Sequence, residues 1–269
     1  MITLQRRTME LLDFLHVNQE EGFLPLAMTL KAAKEYGMSF RDVEIVAMNE
    51  GIMPLRYKRN VKSLCVQEQL TLLQSNVLIV GCGGLGGFVA ELLTRIGVGN
   101  IHLFDGDVFE EHNLNRQIGA TVQTLGKNKA QVLAERLMQI NPSLHVSAYP
   151  EFFSLDHHSA LLETIHVTVD ALDDPTFKKV LARWTYERHM SFVHAAIAGM
   201  TLECSTNRCL EELYPTEGKG AETLLGNLAF TVACAAALQS AEVVKLLLHR
   251  PHLDQTLFMD LKEYETVLF

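Results

Sequence analysis

Apolar side chains follow a helical period along the first part of the chain. Leu11 and Leu15 lie on one face of a predicted first helix, and a second helix is predicted over residues 26–36. Ser39 and Asp42 have the spacing of a capping box, which predicts a third helix that ends near residue 49. The chain is therefore expected to begin as a group of short helices.

From residue 77 onward, short apolar runs alternate with amphipathic helical segments. The runs that predict strands are 77–80, 100–104, 144–148, 166–169 and 192–195. The segments that predict helices are 85–96, 129–140, 155–164 and 176–189. Repeated strand–helix–strand units predict an α/β fold with a doubly wound, mainly parallel Rossmann-like sheet that has helices on both faces.

The end of the chain has a different pattern. Residues 199–225 are polar and are predicted to be irregular, a long helix of small residues follows over 226–249, and 257–261 and 266–269 predict closing antiparallel strands. The uncharged run within the long helix approaches the length of a membrane span. Because it is rich in alanine and contains Gln239, which lipid disfavours, we interpret it as a buried helix.

Length and charge narrow the class of protein. The chain has 269 residues, of which 48% are hydrophobic and 20% are charged, and its formal net charge is −9. At roughly 150 residues per domain, we expect a helical N-terminal module, residues 1–55, and a second domain, residues 56–269. An acidic chain is not expected to have nucleic acid as its main partner, since such binding requires bulk positive charge.

The five cysteines are scattered, and no two of them have the C-x-x-C spacing of zinc and redox sites. They predict free thiols in a reducing compartment, so a cytoplasmic location is expected. Glu10 and Asp13 interrupt the stretch where a signal peptide would need an apolar core, and no membrane association is expected.

A glycine loop supplies the first candidate chemistry. Gly81-Cys82-Gly83-Gly84-Leu85-Gly86 follows a predicted strand and opens a predicted helix. In that position the backbone can approach a phosphate closely, and the helix N-terminus supplies N–H donors. Asp105 ends the next strand, where an acid accepts hydrogen bonds from ribose hydroxyls. The combination predicts nucleotide binding and leaves the kind of nucleotide open.

Charged and amide side chains that follow the strands make the prediction more specific. They are Asp107, Asn113, Arg116 and Gln117 after the second strand, Lys129 in the first turn of a helix, and Asp170 and Asp173 after the fourth strand. In a doubly wound sheet all these strand ends open onto one crevice. Two bases and spare acids beside a glycine loop suit a triphosphate with magnesium, whereas hydride transfer has no need of them.

Six motifs together resemble the ThiF/MoeB/HesA family, bacterial relatives of the ubiquitin-activating enzymes. They are Arg56-Tyr57-Lys58-Arg59-Asn60, Gly81-Cys82-Gly83-Gly84-Leu85-Gly86, Asp105-Gly106-Asp107, Asn113-Leu114-Asn115-Arg116-Gln117, Gly126-Lys127-Asn128-Lys129 and Asp170-Ala171-Leu172-Asp173-Asp174. The resemblance runs from Arg56 to near the C-terminus. It implies ATP-dependent adenylation of a carboxylate, usually the C-terminal glycine of a small ubiquitin-like carrier of the ThiS/MoaD type that ends in Gly-Gly, with release of pyrophosphate.

The resemblance also implies roles for individual residues. The implied catalytic residues are Arg59, Arg116, Lys129 and Asp173, and the implied ATP-binding residues are Gly81, Gly83, Gly84, Gly86, Asp105, Asp107, Asn113 and Gln117. Lys129 and Arg116 would neutralise phosphates, and Asp173 would hold magnesium. Arg59 matches the arginine that relatives insert into the ATP site of the neighbouring subunit, so a homodimer is implied.

Departures from the family pattern carry further expectations. Many relatives bind zinc through two C-x-x-C pairs, but here Cys204 and Cys209 have the wrong spacing and the last 35 residues contain no cysteine. No zinc is therefore predicted, as in the zinc-less HesA-like members. The stretch 215–223, where relatives carry an acceptor cysteine, also has none. The resemblance thus implies adenylation without a covalent thioester step.

Three alternatives stay open at this stage. The adenylated carboxylate could belong to a small molecule or to a tRNA, as in the related threonylcarbamoyladenosine dehydratases, although the net charge of −9 opposes an RNA substrate. An NAD-dependent oxidoreductase would share the glycine loop but would leave Arg116, Lys129 and Asp173 unexplained. A non-catalytic nucleotide-binding module would use its N-terminal helices for interaction. His189 and His194 have no partner at metal-ligand spacing.

Overall fold

The computed structural model describes residues 2–211, 213–214 and 222–269. Its α-helices are α1 (Ile2–Asn18), α2 (Leu26–Tyr36), α3 (Phe40–Asn49), α4 (Val66–Gln74), α5 (Gly84–Ile96), α6 (Lys129–Ile140), α7 (Leu155–Leu162), α8 (Pro175–Glu187), α9 (Glu222–Leu225) and α10 (Ala229–Leu247). Its strands are β1 (Phe23–Leu24), β2 (Met53–Pro54), β3 (Asn76–Val80), β4 (Asn100–Phe104), β5 (His145–Tyr149), β6 (Val167–Asp170), β7 (Phe192–Ala198), β8 (Thr201–Thr206), β9 (Leu257–Asp260) and β10 (Glu265–Leu268).

Eight strands form one sheet in the order β10-β9-β8-β7-β6-β3-β4-β5. The strands from β7 to β5 are parallel to their neighbours, and β8, β9 and β10 continue the sheet in antiparallel fashion. From β3 the chain first adds strands on one side and then crosses to the other, so the strand order reverses between β3 and β6. The predicted fold class is confirmed, and this reversal is where open α/β sheets form their ligand crevice.

Separate apolar clusters lie on the two faces of the sheet. One contains Val89 of α5, Leu133 of α6 and Val243 of α10, and the other contains Leu162 of α7 and Leu181 of α8. Parallel strands covered on both faces are often continuously apolar, which explains why the run at 77–80 predicted β3 well. The run at 100–104 instead alternates, with Ile101 and Leu103 buried and Asn100 and His102 partly exposed.

The N-terminal helices have an apolar cluster of their own, which includes Leu15, Ala32 and Val43. The predicted cap is present, because the Ser39 hydroxyl accepts a hydrogen bond from the backbone N–H of Asp42 at 3.1 Å. Arg41 of α3 donates to the carbonyl of Gly99 at 2.8 Å and so joins this cluster to the start of β4.

Among the described residues, α10 is the one helix that is long and apolar enough to cross a membrane by length and composition. In this structure it packs against α5 and β7 and buries Val232, Ala235, Ala236 and Val243. The segment is a helix, as predicted, and about half of it is buried inside the structure.

The prediction that residues 199–225 are irregular was wrong, because β8 occupies the start of that segment and pairs with both β7 and β9. Its sequence alternates apolar Leu202 and Cys204 with polar Glu203 and Ser205. Polar residues in a central strand are tolerated only when they find partners, and Glu203 finds them on β7. The alternation is itself typical of a half-buried strand, and the prediction missed it because the segment as a whole is polar.

Candidate active site

The carboxyl ends of β3, β4, β6 and β7 open onto a cleft of about 420 Å³. Its walls come from the glycine loop, the segments after β4 and β6, the first turns of α6 and α8, and the end of β7. Of the sequence-predicted site residues, the structure places Gly81, Gly83, Gly84, Asp105, Asp107, Arg116, Gln117, Lys129 and Asp173 on these walls. The cleft lies at the reversal of strand order, as Rossmann-like sheets require.

The fold requires glycine at two positions of the loop, because a side chain there would overlap the backbone. Gly81 has φ of +96°, and a Cβ added there would lie 2.4 Å from the carbonyl oxygen of Ala171 at the end of β6. A Cβ on Gly86 would lie 1.9 Å from the carbonyl oxygen of Gly81. Any larger residue at these positions would force the turn between β3 and α5 open.

Of the other two glycines, Gly83 leaves room for a ligand, whereas Gly84 packs closely against Val232. The nearest atom to a Cβ on Gly83 would be Nε2 of Gln117 at 3.5 Å, and on Gly84 it would be a methyl of Val232 at 3.1 Å. Gln117 is buried, and its Oε1 has no hydrogen-bond partner among the described residues. A glycine cradle at a helix N-terminus fits a phosphate group, and the unsatisfied Oε1 of Gln117 can accept a hydrogen bond from a donor of a ligand.

The different environments of the glycines give a first prediction. Gly86→Ala should lower the free energy of unfolding by about 3 kcal/mol or more, or about 6–12 °C in Tm, because the methyl group overlaps backbone. Gly83→Ala should change stability by about 1 kcal/mol or less and instead weaken ATP binding at least about tenfold, since its methyl group fills the cradle. Thermal unfolding and titration calorimetry measure the two effects, and equal effects of both variants on stability would contradict the assignment.

Asp105 joins the glycine loop to the segment after β4. Its Oδ2 accepts from the backbone N–H of Cys82 at 2.7 Å, and its Oδ1 accepts from that of Asp107 at 2.8 Å. Burial raises the pKa of Asp105, and these two N–H groups oppose that shift. Each oxygen keeps a second lone pair for a ribose hydroxyl. Asp105 is thus able to hold the loop and a ribose together.

Lys129 and Arg116 supply positive charge to the cleft. The Lys129 ammonium is largely buried and lies 3.0 Å from Oδ2 of Asp107. Arg116 donates to Oδ1 of Asn115 at 2.9 Å, and partial burial lowers its pKa while Asp173 opposes that shift. Two fixed cations on one wall can offset the charge of a triphosphate.

Asp173 is exposed at the end of β6 and faces the cleft, whereas Asp174 caps α8 by accepting from the N–H of Thr176 at 2.9 Å. Within the described part of the chain, no three His, Cys, Asp or Glu side chains lie close enough to hold a metal ion. Magnesium is usually held by only one or two carboxylates together with substrate phosphates. A free carboxylate beside the glycine cradle fits that mode of binding.

Three residues of the predicted site do not line the cleft, namely Gly86, Asn113 and Arg59. Asn113 is buried in the turn before Arg116, where its Oδ1 accepts from the backbone N–H of Glu110 at 3.0 Å. Arg59 is exposed in a turn after β2 and has no hydrogen bond or ion pair with any described residue. Asn113 therefore orders the segment that presents Arg116 and Gln117, and the Arg59 guanidinium is available to another molecule.

Sequence reasoning missed the polar groups at the β7 end of the cleft. Asp170 was expected on the rim, but it is fully buried and contacts Lys178 at 3.0 Å and His194 at 2.7 Å. Lys178 and Tyr214 line the cleft, although neither belongs to a motif. The one signal in the sequence was a histidine inside the apolar run of β7, and it did not indicate a partner.

Three of the five cysteines, Cys82, Cys204 and Cys209, are poor candidates for an acceptor thiol. Burial raises the pKa of Cys204 to about 12 and that of Cys82 well above its usual range. Partial burial and the neighbouring Glu211 also raise the pKa of Cys209. Reactive cysteines need the opposite shift. Most of the stretch 215–223, in which no cysteine was found, lies outside the described residues.

Comparison with known proteins gives a consistent result. The model of the ThiF family matches residues 57–267. The chain is 28% identical over 207 residues to the heterocyst protein HesA of Trichormus variabilis, covering 73% of this chain and 76% of HesA. It is also 28% identical over 216 residues to the adenylyltransferase and sulfurtransferase MOCS3 of Arabidopsis thaliana, covering 74% of this chain. The chain spans only 47% of the length of that MOCS3 protein.

Two further likenesses bear on the site. The Escherichia coli tRNA threonylcarbamoyladenosine dehydratase is 34% identical over 126 residues, which is 46% of this chain and 47% of that enzyme. Among solved structures, Escherichia coli MccB with ATP has a TM-score of 0.67 and 22% identity, covering 90% of this chain and 81% of MccB. At that identity, the structural likeness concerns the fold.

Proposed function

The chain belongs to the ThiF family, and we propose that it transfers the AMP moiety of ATP to a carboxylate. The observation that carries this proposal is one cleft that combines the glycine cradle with Asp105, Lys129, Arg116 and Asp173. MOCS3 is named an adenylyltransferase, and MccB has been solved with ATP, which supports the same chemistry here.

In the proposed reaction, a carboxylate oxygen attacks the α-phosphorus of ATP. The bond from that phosphorus to the oxygen bridging to the β-phosphate breaks, its electron pair leaves with pyrophosphate, and an acyl-adenylate remains. Lys129 and Arg116 would offset the negative charge that collects on the phosphates, and Asp105 would hold the ribose in place. Magnesium, when bound at Asp173, would add positive charge at the phosphates.

We propose that the carboxylate is the C-terminal glycine of a small ubiquitin-like carrier protein ending in Gly-Gly. The end of β7 that lines the cleft consists of Ala195, Ala196 and Ile197, so the wall there is smooth and lacks charge. Such a wall suits a narrow peptide tail better than a nucleotide. The raised pKa values of Cys82, Cys204 and Cys209 support adenylation without a thioester step.

A carboxylate carried by a tRNA is the second candidate, because the chain resembles the Escherichia coli tRNA threonylcarbamoyladenosine dehydratase. The net charge of −9 makes RNA binding less favourable. We also propose a homodimer in which Arg59 serves the partner subunit's cleft. The exposure of Arg59 and its lack of a partner among the described residues support that arrangement.

Nucleotide binding distinguishes an adenylating enzyme from an NAD-dependent oxidoreductase. At 100 times its Kd, ATP should stabilise the protein by about 2.7 kcal/mol, which corresponds to about 5–10 °C in Tm, whereas NAD at the same concentration should have no effect. ATP–pyrophosphate exchange with small Gly-Gly-ending proteins encoded beside the gene should then appear. Stabilisation by NAD alone would exclude adenylation. Tight ATP binding without exchange, with any protein, tRNA or small-molecule carboxylate, would indicate a non-catalytic module.

A further inference from the structure

A buried ionic network lies beneath the β7 end of the cleft. Asp170, at the end of β6, contacts the Lys178 ammonium at 3.0 Å and Nδ1 of His194 at 2.7 Å, and all three side chains are at most 4% exposed. Burial by itself raises the pKa of Asp170, but Lys178 and His194 outweigh it and hold that pKa below its ordinary value. Asp170 is therefore a carboxylate that is held between the Lys178 ammonium and the His194 ring.

The second nitrogen of His194 extends the network toward the segment after β8. Nε2 lies 2.9 Å from the Tyr214 hydroxyl oxygen and 3.3 Å from Oε1 of Glu203. The Tyr214 hydroxyl also donates to Glu203. His194 therefore connects Asp170 on one side to Tyr214 and Glu203 on the other.

Asp170 is fully buried between Lys178 and His194, and Glu203, which is 18% exposed, contacts the other nitrogen of His194. Removal of Lys178 would leave the Asp170 carboxylate without its cation in the interior, which is strongly unfavourable. Each member therefore holds its neighbours in one geometry.

Strand order places this network away from the ribose end of the cleft. Asp105 follows β4, and β7 is three strands further along the sheet. At about 4.8 Å per strand spacing, the two ends are about 14 Å apart. The glycine loop after β3 lies between them. A carboxylate substrate that reaches the α-phosphate from the side opposite the ribose would enter over β7.

Lys178 and Tyr214 are the network members that line this part of the cleft. An ammonium group has three N–H donors, and Asp170 is the one acceptor for Lys178 among the described residues. The ammonium is nine-tenths or more buried, so the cleft is where its remaining donors can find acceptors. Next to the smooth wall of β7, these two side chains and Asn227 are polar groups that can orient a ligand.

We propose that His194 is a positioning residue that, through Asp170 and Glu203, fixes Lys178 and Tyr214 as the polar contacts for the acyl group of the acceptor. The proposal rests on the proposed function, because it concerns the acceptor half of the same cleft. Lys178 donates a hydrogen bond to an oxygen of the bound acyl group, and Tyr214 limits the width of the site that holds this group.

Two nucleotides test the proposal without knowledge of the natural acceptor. AMP occupies only the nucleotide half of the cleft, between Asp105 and the glycine loop. By contrast, 5′-O-(N-glycylsulfamoyl)adenosine is an uncleavable mimic of a glycyl-adenylate, and its glycyl group extends into the β7 half. We expect the wild-type protein to bind the mimic at least about tenfold more tightly than AMP. Lys178→Met should weaken the mimic about 10- to 100-fold, the usual loss for a charge-assisted hydrogen bond, and change AMP binding less than about twofold.

Matched variants separate positioning from a general loss of structure. Lys179→Met removes the next lysine of α8, which does not line the cleft, and should leave both affinities unchanged. His194→Asn keeps a donor near Asp170, and His194→Gln keeps one near Tyr214, so each should weaken the mimic about 3- to 10-fold at constant AMP affinity. Tyr214→Phe, compared with Tyr186→Phe on exposed α8 surface, repeats the test with a variant that retains the ring.

The outcomes are distinct. A wild-type protein that binds neither AMP nor ATP would contradict the proposed function itself. A wild-type protein that binds AMP and the mimic equally, or variants at Lys178 and His194 that weaken both ligands in parallel, would overturn the positioning role while leaving nucleotide binding in place.

Discussion

Lys129→Met is expected to reduce ATP–pyrophosphate exchange about 100- to 1,000-fold, the usual cost of removing a fixed charge from a phosphoryl-transfer site. The Lys129 ammonium is held at the first turn of α6, 3.0 Å from Asp107, and it lines the cleft beside the glycine loop. Methionine has a similar length and keeps the buried stem packed. Steady-state exchange at saturating ATP measures the effect on the chemical step.

Stability should change little in the same variant. Asp107, the partner of Lys129, is about half exposed, so the ion pair contributes only about 0–1 kcal/mol to folding. Lys127→Met is the control, because Lys127 lies two residues earlier and is exposed outside the cleft. If Lys129→Met retains exchange activity, or if Lys127→Met loses as much activity, Lys129 has no specific role in the reaction.

Arg59→Ala and Asp173→Ala should each lose about 1,000-fold or more in exchange activity, in line with arginines and metal ligands of other phosphoryl-transfer sites. When the two variants are co-expressed, activity should return. Arg59 lies outside its own cleft, and Asp173 lines it. A mixed dimer therefore contains one cleft with both residues intact and one cleft with neither.

The size of the recovery is fixed by symmetry. Random assembly makes about half of the dimers mixed, and one of their two sites is intact, so activity should return to about a quarter of the wild-type value. Tandem affinity purification with two tags isolates the mixed dimer and should double that fraction. If the purified mixed dimer is as inactive as its parents, or if the protein is a monomer by light scattering, Arg59 does not act across subunits.

Local sequence patterns determined most of the secondary structure of the α/β part. The strand predicted at 100–104 and the helix predicted at 129–140 match β4 and α6 to the residue. Both lie in segments whose apolar period comes from neighbours in sequence, namely the alternation of Asn100-Ile101-His102-Leu103 in β4 and a helical stripe in α6. The cap at Ser39 was predictable for the same reason, because its partner Asp42 is three residues away.

The residues of the nucleotide half of the cleft were also predictable from the sequence. The glycine loop, Asp105 and Lys129 occur at strand ends and helix starts, and a doubly wound sheet brings those positions to one edge. Their structural reasons are partly local: Gly81 and Gly86 are required because Cβ atoms at these positions would overlap backbone.

The polar network at the β7 end of the cleft depended on which strands are neighbours in the sheet. Asp170 and His194 are 24 residues apart, and they meet because β6 and β7 pair in parallel, while Glu203 joins them because β8 returns beside β7. The same pairing made a strand of residues that the sequence pattern predicted as irregular.

The sequence by itself thus determined the elements, the nucleotide-binding motif and the family, since each of these rests on residues close together in the chain. Only the tertiary structure decided that Asp170 is buried in an ion pair, that Arg59 lies outside its own cleft, and that Lys178 and Tyr214 line the β7 end. The physical reason is that a buried charge is tolerated only with partners, and those partners are selected by strand order rather than by sequence neighbours.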